Sequence, residues 1–180
     1  CAMIVQPYSL MIGTPKEAVI FSPNNATFTG QITAAGLTKL GGGYLTMTCM
    51  TMYPELFAVG SAVVPFLNWL KSHKNSREDL QHWNIENMGD PRENFDLWRA
   101  RSPYYFLDKV KAPVQFICGE NDPRCPPSES EAARDRLMDL GRDVDFILYE
   151  DEGHGFLKTS NVVSSELRRV KFLAKYLEPK

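Results

Sequence analysis

Pro113-Val114-Gln115-Phe116-Ile117-Cys118-Gly119 is the stretch on which the fold turns. A nearly continuous apolar run, opened by proline and closed by glycine, suits a strand buried on both faces, and such strands belong to parallel sheets covered by helices. Downstream the same grammar continues. Pro126-Pro127-Ser128 precede a helical pattern over Glu129 to Leu140, with Ser128 and Glu131 spaced as a capping box, Ala133, Leu137 and Leu140 on one stripe, and Gly141 as the stop. Val144 to Tyr149 reads as the next strand. After the loop Asp151-Glu152-Gly153-His154-Gly155, residues Val163, Leu167, Val170, Leu173, Ala174 and Leu177 recur at helical spacing. Arg168, Arg169, Lys171 and Lys175 are then expected to face outward. Strand, helix, strand, helix with short loops implies parallel pairing, because a parallel neighbour is reached only through a crossover.

Upstream the pattern is similar but less regular. Ile32 to Thr38 reads as a strand, Tyr44 to Met52 as a helix ended by Pro54, and Ala58 to Val64 as another strand, which brings the parallel strands to as many as four. Residues 66 to 110, with Trp69, Trp83 and Trp98, read as a helical excursion over the sheet edge. The three tryptophans are either packing anchors or substrate contacts. Val19 to Asn25 has the look of a strand running into a turn, with no assigned partner. The expected class is α/β: a mostly parallel sheet flanked by helices.

Composition narrows the function. With 180 residues, 43% hydrophobic and 23% charged, the chain is long enough for one globular domain with a core. A net charge of -2 and no basic run interleaved with aromatics argue against a nucleic-acid partner. Apolar runs such as Phe57 to Leu70 are interrupted by Gly60, Ser61, Pro65 and Asn68, too soon for the roughly 20 apolar residues that a membrane span requires. Cys1, Cys49, Cys118 and Cys125 form no CxxC pair and no zinc-type spacing with histidine, so free thiols, a reducing cytoplasmic compartment, and no metal or organic cofactor are expected. The sequon Asn25-Ala26-Thr27 matters only in a secreted protein. Opening on Cys1 without a signal-like region, the chain reads as a fragment or as a processed or engineered product. Its oligomeric state is not readable.

Two residues stand out as chemical candidates. Gly153 and Gly155 leave the His154 ring uncrowded, which suits a working imidazole as well as a surface loop. Asn121-Asp122-Pro123 suits either a catalytic carboxylate or ordinary turn chemistry, in which Asp caps its own backbone. Taken together they say more. Each follows a buried strand, which brings both to the carboxyl edge of the sheet, where open α/β sheets place their sites. There the carboxylate can orient the imidazole and stabilise the imidazolium formed when it takes a proton. Arg124 next to Asp122 suits either a substrate contact or a surface ion pair.

From about Gly36 onward the chain resembles the catalytic domain of the prolyl oligopeptidase family of serine peptidases, most closely its dipeptidyl aminopeptidase and acylaminoacyl peptidase branch. The resemblance rests on Gly43-Tyr44-Leu45-Thr46-Met47, Tyr53-Pro54-Glu55-Leu56-Phe57-Ala58, Arg101-Ser102-Pro103, Lys111-Ala112-Pro113, Gly119 to Pro126 and Asp151 to Phe156, in that order. It implies an α/β-hydrolase fold lacking much of its N-terminal half, with residues 1–35 an unassigned segment and 36–180 the C-terminal part of the catalytic domain. It further implies Asp122 as triad acid, His154 as triad base, and a peptide or acyl-peptide as substrate.

The nucleophile does not follow. The family's elbow reads Gly-Gly-Ser-Tyr-Gly-Gly-Tyr, whereas this chain reads Thr38-Lys39-Leu40-Gly41-Gly42-Gly43-Tyr44, which puts Leu40 or Gly41 at the serine position. Residues 1 to 31 supply no candidate for the loop that completes an oxyanion hole, and Ala18 to Asn25 faintly suggests a strand of the family's β-propeller. The expectation is a serine-type peptidase or esterase impaired by a missing nucleophile. The alternative is a non-catalytic α/β-hydrolase-like domain used for binding or assembly.

Overall fold

The computed structural model describes residues 42–177 and, before them, the backbone of four strands. These are β1 (Ile4–Val5), β2 (Ser9–Thr14), β3 (Glu17–Phe21) and β4 (Leu37–Leu40). Cys1, the sequon at Asn25, Ser22 to Asn25, Ile32 to Gly36 and Gly41 lie outside the described residues. The chain continues through α1 (Gly43–Met52), β5 (Phe57–Val63), α2 (Trp69–Asn75), α3 (Glu78–Met88), α4 (Phe95–Ala100), a 3-10 segment at Pro103–Lys109, β6 (Val114–Gly119), α5 (Pro127–Asp139), β7 (Val144–Tyr149) and α6 (Thr159–Leu177).

The strands form one 7-stranded sheet in sequence order. β1 and β2 pair antiparallel and β2 pairs antiparallel with β3, whereas β3, β4, β5, β6 and β7 run parallel. The fold is that of α/β hydrolases, and the parallel run extends one strand beyond the four expected. The strand anticipated near Val19 finds its place in the main sheet as β3, between β2 and β4, and not in a propeller blade.

Alternation along the buried strands divides the core. Val114, Phe116 and Cys118 of β6 join Met47 and Met50 of α1 and Ala133 and Leu137 of α5 in the larger cluster, while Val59 of β5 packs with Phe172 and Leu173 of α6. β6 is buried along its whole length, as its apolar run requires. Burying a side chain such as Phe116 or Leu137 contributes about 1.5–3 kcal/mol relative to leaving it exposed.

Two helices depart from their expected patterning. α5 starts at Pro127, with Pro126 as N-cap and no side-chain cap bond, so Ser128 and Glu131 form no capping box. Proline at the first helical position has no amide to satisfy and a φ already suited to the helix. α6 is rotated relative to its apolar stripe: Val163, Leu167 and Val170 are exposed, whereas Ser165, Arg169, Phe172 and Leu173 are buried. The sheet face that α6 covers is partly polar. There Ser61 donates to Gln115 Oε1, and Gln115 Nε2 donates to Asp145 and to the Arg168 carbonyl, so polar helix positions belong inside. Arg169 is buried with an ion pair to Glu166 at 2.8 Å.

The excursion over residues 66 to 110 is helical, as expected. Trp98 is fully buried, with its indole donating to the Gly89 carbonyl, and serves as packing; Trp83 is exposed.

Candidate active site

β6 and β7 are paired in register from Val114↔Val144 to Gly119↔Tyr149, so the loops that follow them leave the sheet side by side. Gly119 lets them touch. A Cβ there would lie 2.5 Å from the Gly153 carbonyl oxygen and 2.6 Å from that of Glu152, so a side chain would push the second loop away. In its absence the two loops are stitched backbone to backbone: Glu120 N–H donates to Tyr149 O, and Asn121 N–H donates to Glu152 O, both at 2.9 Å.

This stitching sets Asp122 against His154. Asp122 is buried, and its two oxygens divide the work that the sequence left as alternatives. Oδ1 accepts the amides of Arg124 and Cys125 at 2.8 and 2.9 Å, closing the turn, while Oδ2 lies 2.9 Å from His154 Nδ1. Burial pushes the Asp122 carboxyl up, but the hydrogen bonds from His154, Cys125 and Arg124 outweigh it and hold the group below its ordinary value. The His154 side chain is 38% exposed, so its far edge, with Nε2, reaches solvent. A buried carboxylate on one ring nitrogen and an accessible second nitrogen make an imidazole able to take a proton on its outer side. Arg124 gives its amide to Asp122, while its side chain is exposed.

The histidine loop has an anchor that its sequence hides. Glu152 is buried, and accepts from the amides of Leu157 (2.8 Å) and Lys158 (3.1 Å) and from Asn161 Nδ2 (2.8 Å). Burial raises its carboxyl, and these donors together bring it below the usual carboxylate value. Asp151 bonds Lys158 and Asn161 beside it. Glu152 therefore ties the His154 loop to the start of α6. The only sequence signal is its position between the strand and the Gly-His-Gly turn.

Cys125 is the other residue missed by sequence reasoning. Its thiol is buried close to the pair: one ligand atom each from Asp122, Cys125 and His154 lie within 4.8 Å of one another. Spacing of cysteines with histidines carries no trace of it, because the sheet, not the local sequence, brings His154 to the site.

On the opposite side, β4 ends at Leu40, in register with Ser61 of β5, and α1 begins at Gly43 behind a left-handed Gly42 with φ 59°. Gly43 has no room for a side chain, since a Cβ would stand 2.5 Å from Pro65 Cα and 2.6 Å from the Val63 carbonyl oxygen. Residues 39 to 43 contain no hydroxyl side chain. Next to this turn an aromatic wall is built. Tyr44 stacks on Phe66 with ring centroids 4.6 Å apart, Trp69 meets both edge-on, and the Tyr44 hydroxyl donates to the Arg101 carbonyl at 2.7 Å. Glu129 supports the wall from beneath by accepting the amides of Leu67 and Asn68 at 2.9 and 3.1 Å.

Comparison with known proteins agrees with this architecture. The chain is 34% identical over 131 residues to dipeptidyl peptidase family member 6 of Caenorhabditis elegans, covering 67% of this chain and 17% of that protein. It is 34% identical over 145 residues to dipeptidyl aminopeptidase BIII of Pseudoxanthomonas mexicana, covering 76% of this chain and 20% of that one. It thus spans about a fifth of the length of these relatives. A puromycin-hydrolyzing peptidase of Mycobacterium tuberculosis shares the fold at a TM-score of 0.75 and 24% identity, over 80% of this chain and 22% of that one. The sequence profile described as the prolyl oligopeptidase family matches residues 31–180, and the chain belongs to that family.

Proposed function

We propose that this chain carries the acid–base half of a serine-peptidase site, with His154 as proton acceptor and donor and Asp122 as the group that orients it, and that it hydrolyses peptide or ester bonds poorly or not at all. The observation that carries this reading is the 2.9 Å bond between the buried Asp122 Oδ2 and His154 Nδ1, in a chain whose residues 39 to 43, between β4 and α1, carry no hydroxyl. In the full mechanism a serine attacks the carbonyl of a peptide or acyl-peptide. The imidazole takes the serine proton on Nε2 and gives it to the leaving group; water then resolves the acyl-enzyme by the same route. Asp122 stabilises the imidazolium without itself taking the proton. Without the attacking oxygen the pair has nothing to deprotonate, and only a residual of roughly 10³–10⁴ over water, from binding and an oxyanion hole, is left to such a site.

The reading treats residues 36–180 as the C-terminal part of the catalytic domain and leaves 1–35 unassigned. It places the chain in a reducing, cytoplasmic compartment, in keeping with the free thiols of Cys118 and Cys125. Burial pushes the Cys118 thiol up to about 11 and that of Cys125 up to about 12, so neither is a ready nucleophile in the serine's stead. No helix among the described residues is long and apolar enough to cross a membrane.

A chromogenic aminoacyl or p-nitrophenyl ester assay tests the proposal. The expected rate is no higher than that of His154→Ala; turnover that His154→Ala abolishes would overturn the claim of impairment. A second reading, a non-catalytic domain retained for binding, is favoured by the intact aromatic wall of Tyr44, Phe66 and Trp69 beside an elbow without a hydroxyl. Retention of a peptide on the immobilised chain, lost in Trp69→Ala and unaffected in His154→Ala, separates this reading from the first.

A further inference from the structure

We propose that Asp122, Cys125 and His154 form a binding site for a soft divalent cation of the zinc class, and that a bound ion replaces the hydrogen bond between carboxylate and imidazole. The three ligand atoms already lie within 4.8 Å of one another, and Asp122 Oδ2 and His154 Nδ1 are 2.9 Å apart. Zinc bonds of about 2.0–2.3 Å in a tetrahedron hold their ligand atoms roughly 3.3–3.6 Å apart, so the thiol has to close in by about 1 Å. The turn that Asp122 Oδ1 closes on the Cys125 amide sets the thiol and the carboxylate on the same loop.

The donor set decides the class of ion. One carboxylate oxygen, one imidazole nitrogen and one thiol suit zinc, cobalt and their neighbours, whereas magnesium and calcium take oxygen ligands. The thiol is buried, and among the described residues it makes no hydrogen bond that the ion would have to displace. Three protein ligands leave a fourth position open, and the partly exposed ring of His154 marks the side on which water reaches it.

Protons balance without a redox partner. The neutral imidazole moves its proton from Nδ1 to Nε2, freeing Nδ1 for the ion, and the thiol releases one proton to solvent as it becomes a thiolate. The ion and the Asp122–His154 hydrogen bond compete for the same two atoms, so metal binding switches off the orienting role proposed above. The site itself does not need a nucleophile, so its failure and the failure of the peptidase reading are separable.

Titration of the full chain with cobalt(II), alone and followed by zinc(II), tests the site. The expected result is one equivalent bound with a thiolate-to-cobalt absorption band and the d–d bands of four-coordinate cobalt, both removed by zinc. Cys125→Ser and His154→Ala are each expected to weaken binding by at least about tenfold, and Cys125→Ser to abolish the thiolate band; Cys49→Ser leaves it unchanged. Absence of the band at saturating cobalt, or its survival in a folded Cys125→Ser, overturns the proposal. A wild-type readout stands beside the variants. One equivalent of zinc is expected to remove the low-field proton resonance of His154 Nδ1–H, and a resonance that persists in the zinc-loaded chain contradicts the site.

Discussion

The carboxyl edge of the sheet has two halves built to different standards. At the ends of β6 and β7 the parts of the proposed acid–base pair are held together: a buried carboxylate with both oxygens engaged, an imidazole at 2.9 Å, and a loop held by Glu152. Beyond the end of β4, α1 begins behind a left-handed Gly42 with Gly43 packed against Pro65, and residues 39 to 43 carry no hydroxyl. The contrast separates what packing maintains from what chemistry maintains. Asp122 and Glu152 accept backbone amides and Gly43 fits where a side chain would strike Pro65, so the fold loses stability without them.

Replacement of Gly119 by valine should break the better-built half most severely. Its side chain collides with the backbone of Glu152 and Gly153, and we expect a loss of about 3 kcal/mol in chemical denaturation together with loss of the His154 Nδ1 proton resonance. The matching change on the other half is Gly43→Ala, for which we expect about 2 kcal/mol of destabilisation from the clash with Pro65. The His154 resonance should survive in it. If both variants lose the resonance, the two halves are one cooperative unit and the comparison fails.

Glu152→Ala is a milder cut. It strips the Leu157 and Lys158 amides of their acceptor, and should lower Tm by a few degrees and broaden the His154 signal, whereas Glu152→Gln keeps most of both. The smallest effect is in pH. Asp122 is held below its ordinary value of 3.8, so the stability it contributes is fully present above that value and is lost as pH falls through the lowered one. Denaturation of wild type and Asp122→Asn should converge as pH drops below about 4; parallel curves would mean that the carboxylate is not held by these partners.

Much of this was legible in the chain itself, for reasons particular residues make plain. β6 is a fully buried run and β7 a half-buried one, punctuated by Pro113, Gly119 and Gly141, and a loop after each puts Asp122 and His154 at one edge whatever the details of packing. Other features depend on partners remote in sequence. The face of α6 cannot be read from its own periodicity, because Ser61, Gln115 and Asp145 of the sheet make polar positions the buried ones. The start of α5 follows Pro127, and Glu129 of its first turn is taken up by the Leu67 and Asn68 amides 62 and 61 residues away. Cys125 approaches His154 only because β6 and β7 are neighbours in register.

The central claim, an Asp122–His154 pair in a chain whose β4–α1 turn carries no attacking oxygen, is tested most directly by intact-protein mass spectrometry after treatment with a fluorophosphonate probe. The account predicts an unmodified mass for both the native chain and His154→Ala. A single phosphonyl adduct on one serine of the native chain, lost in His154→Ala, would contradict it.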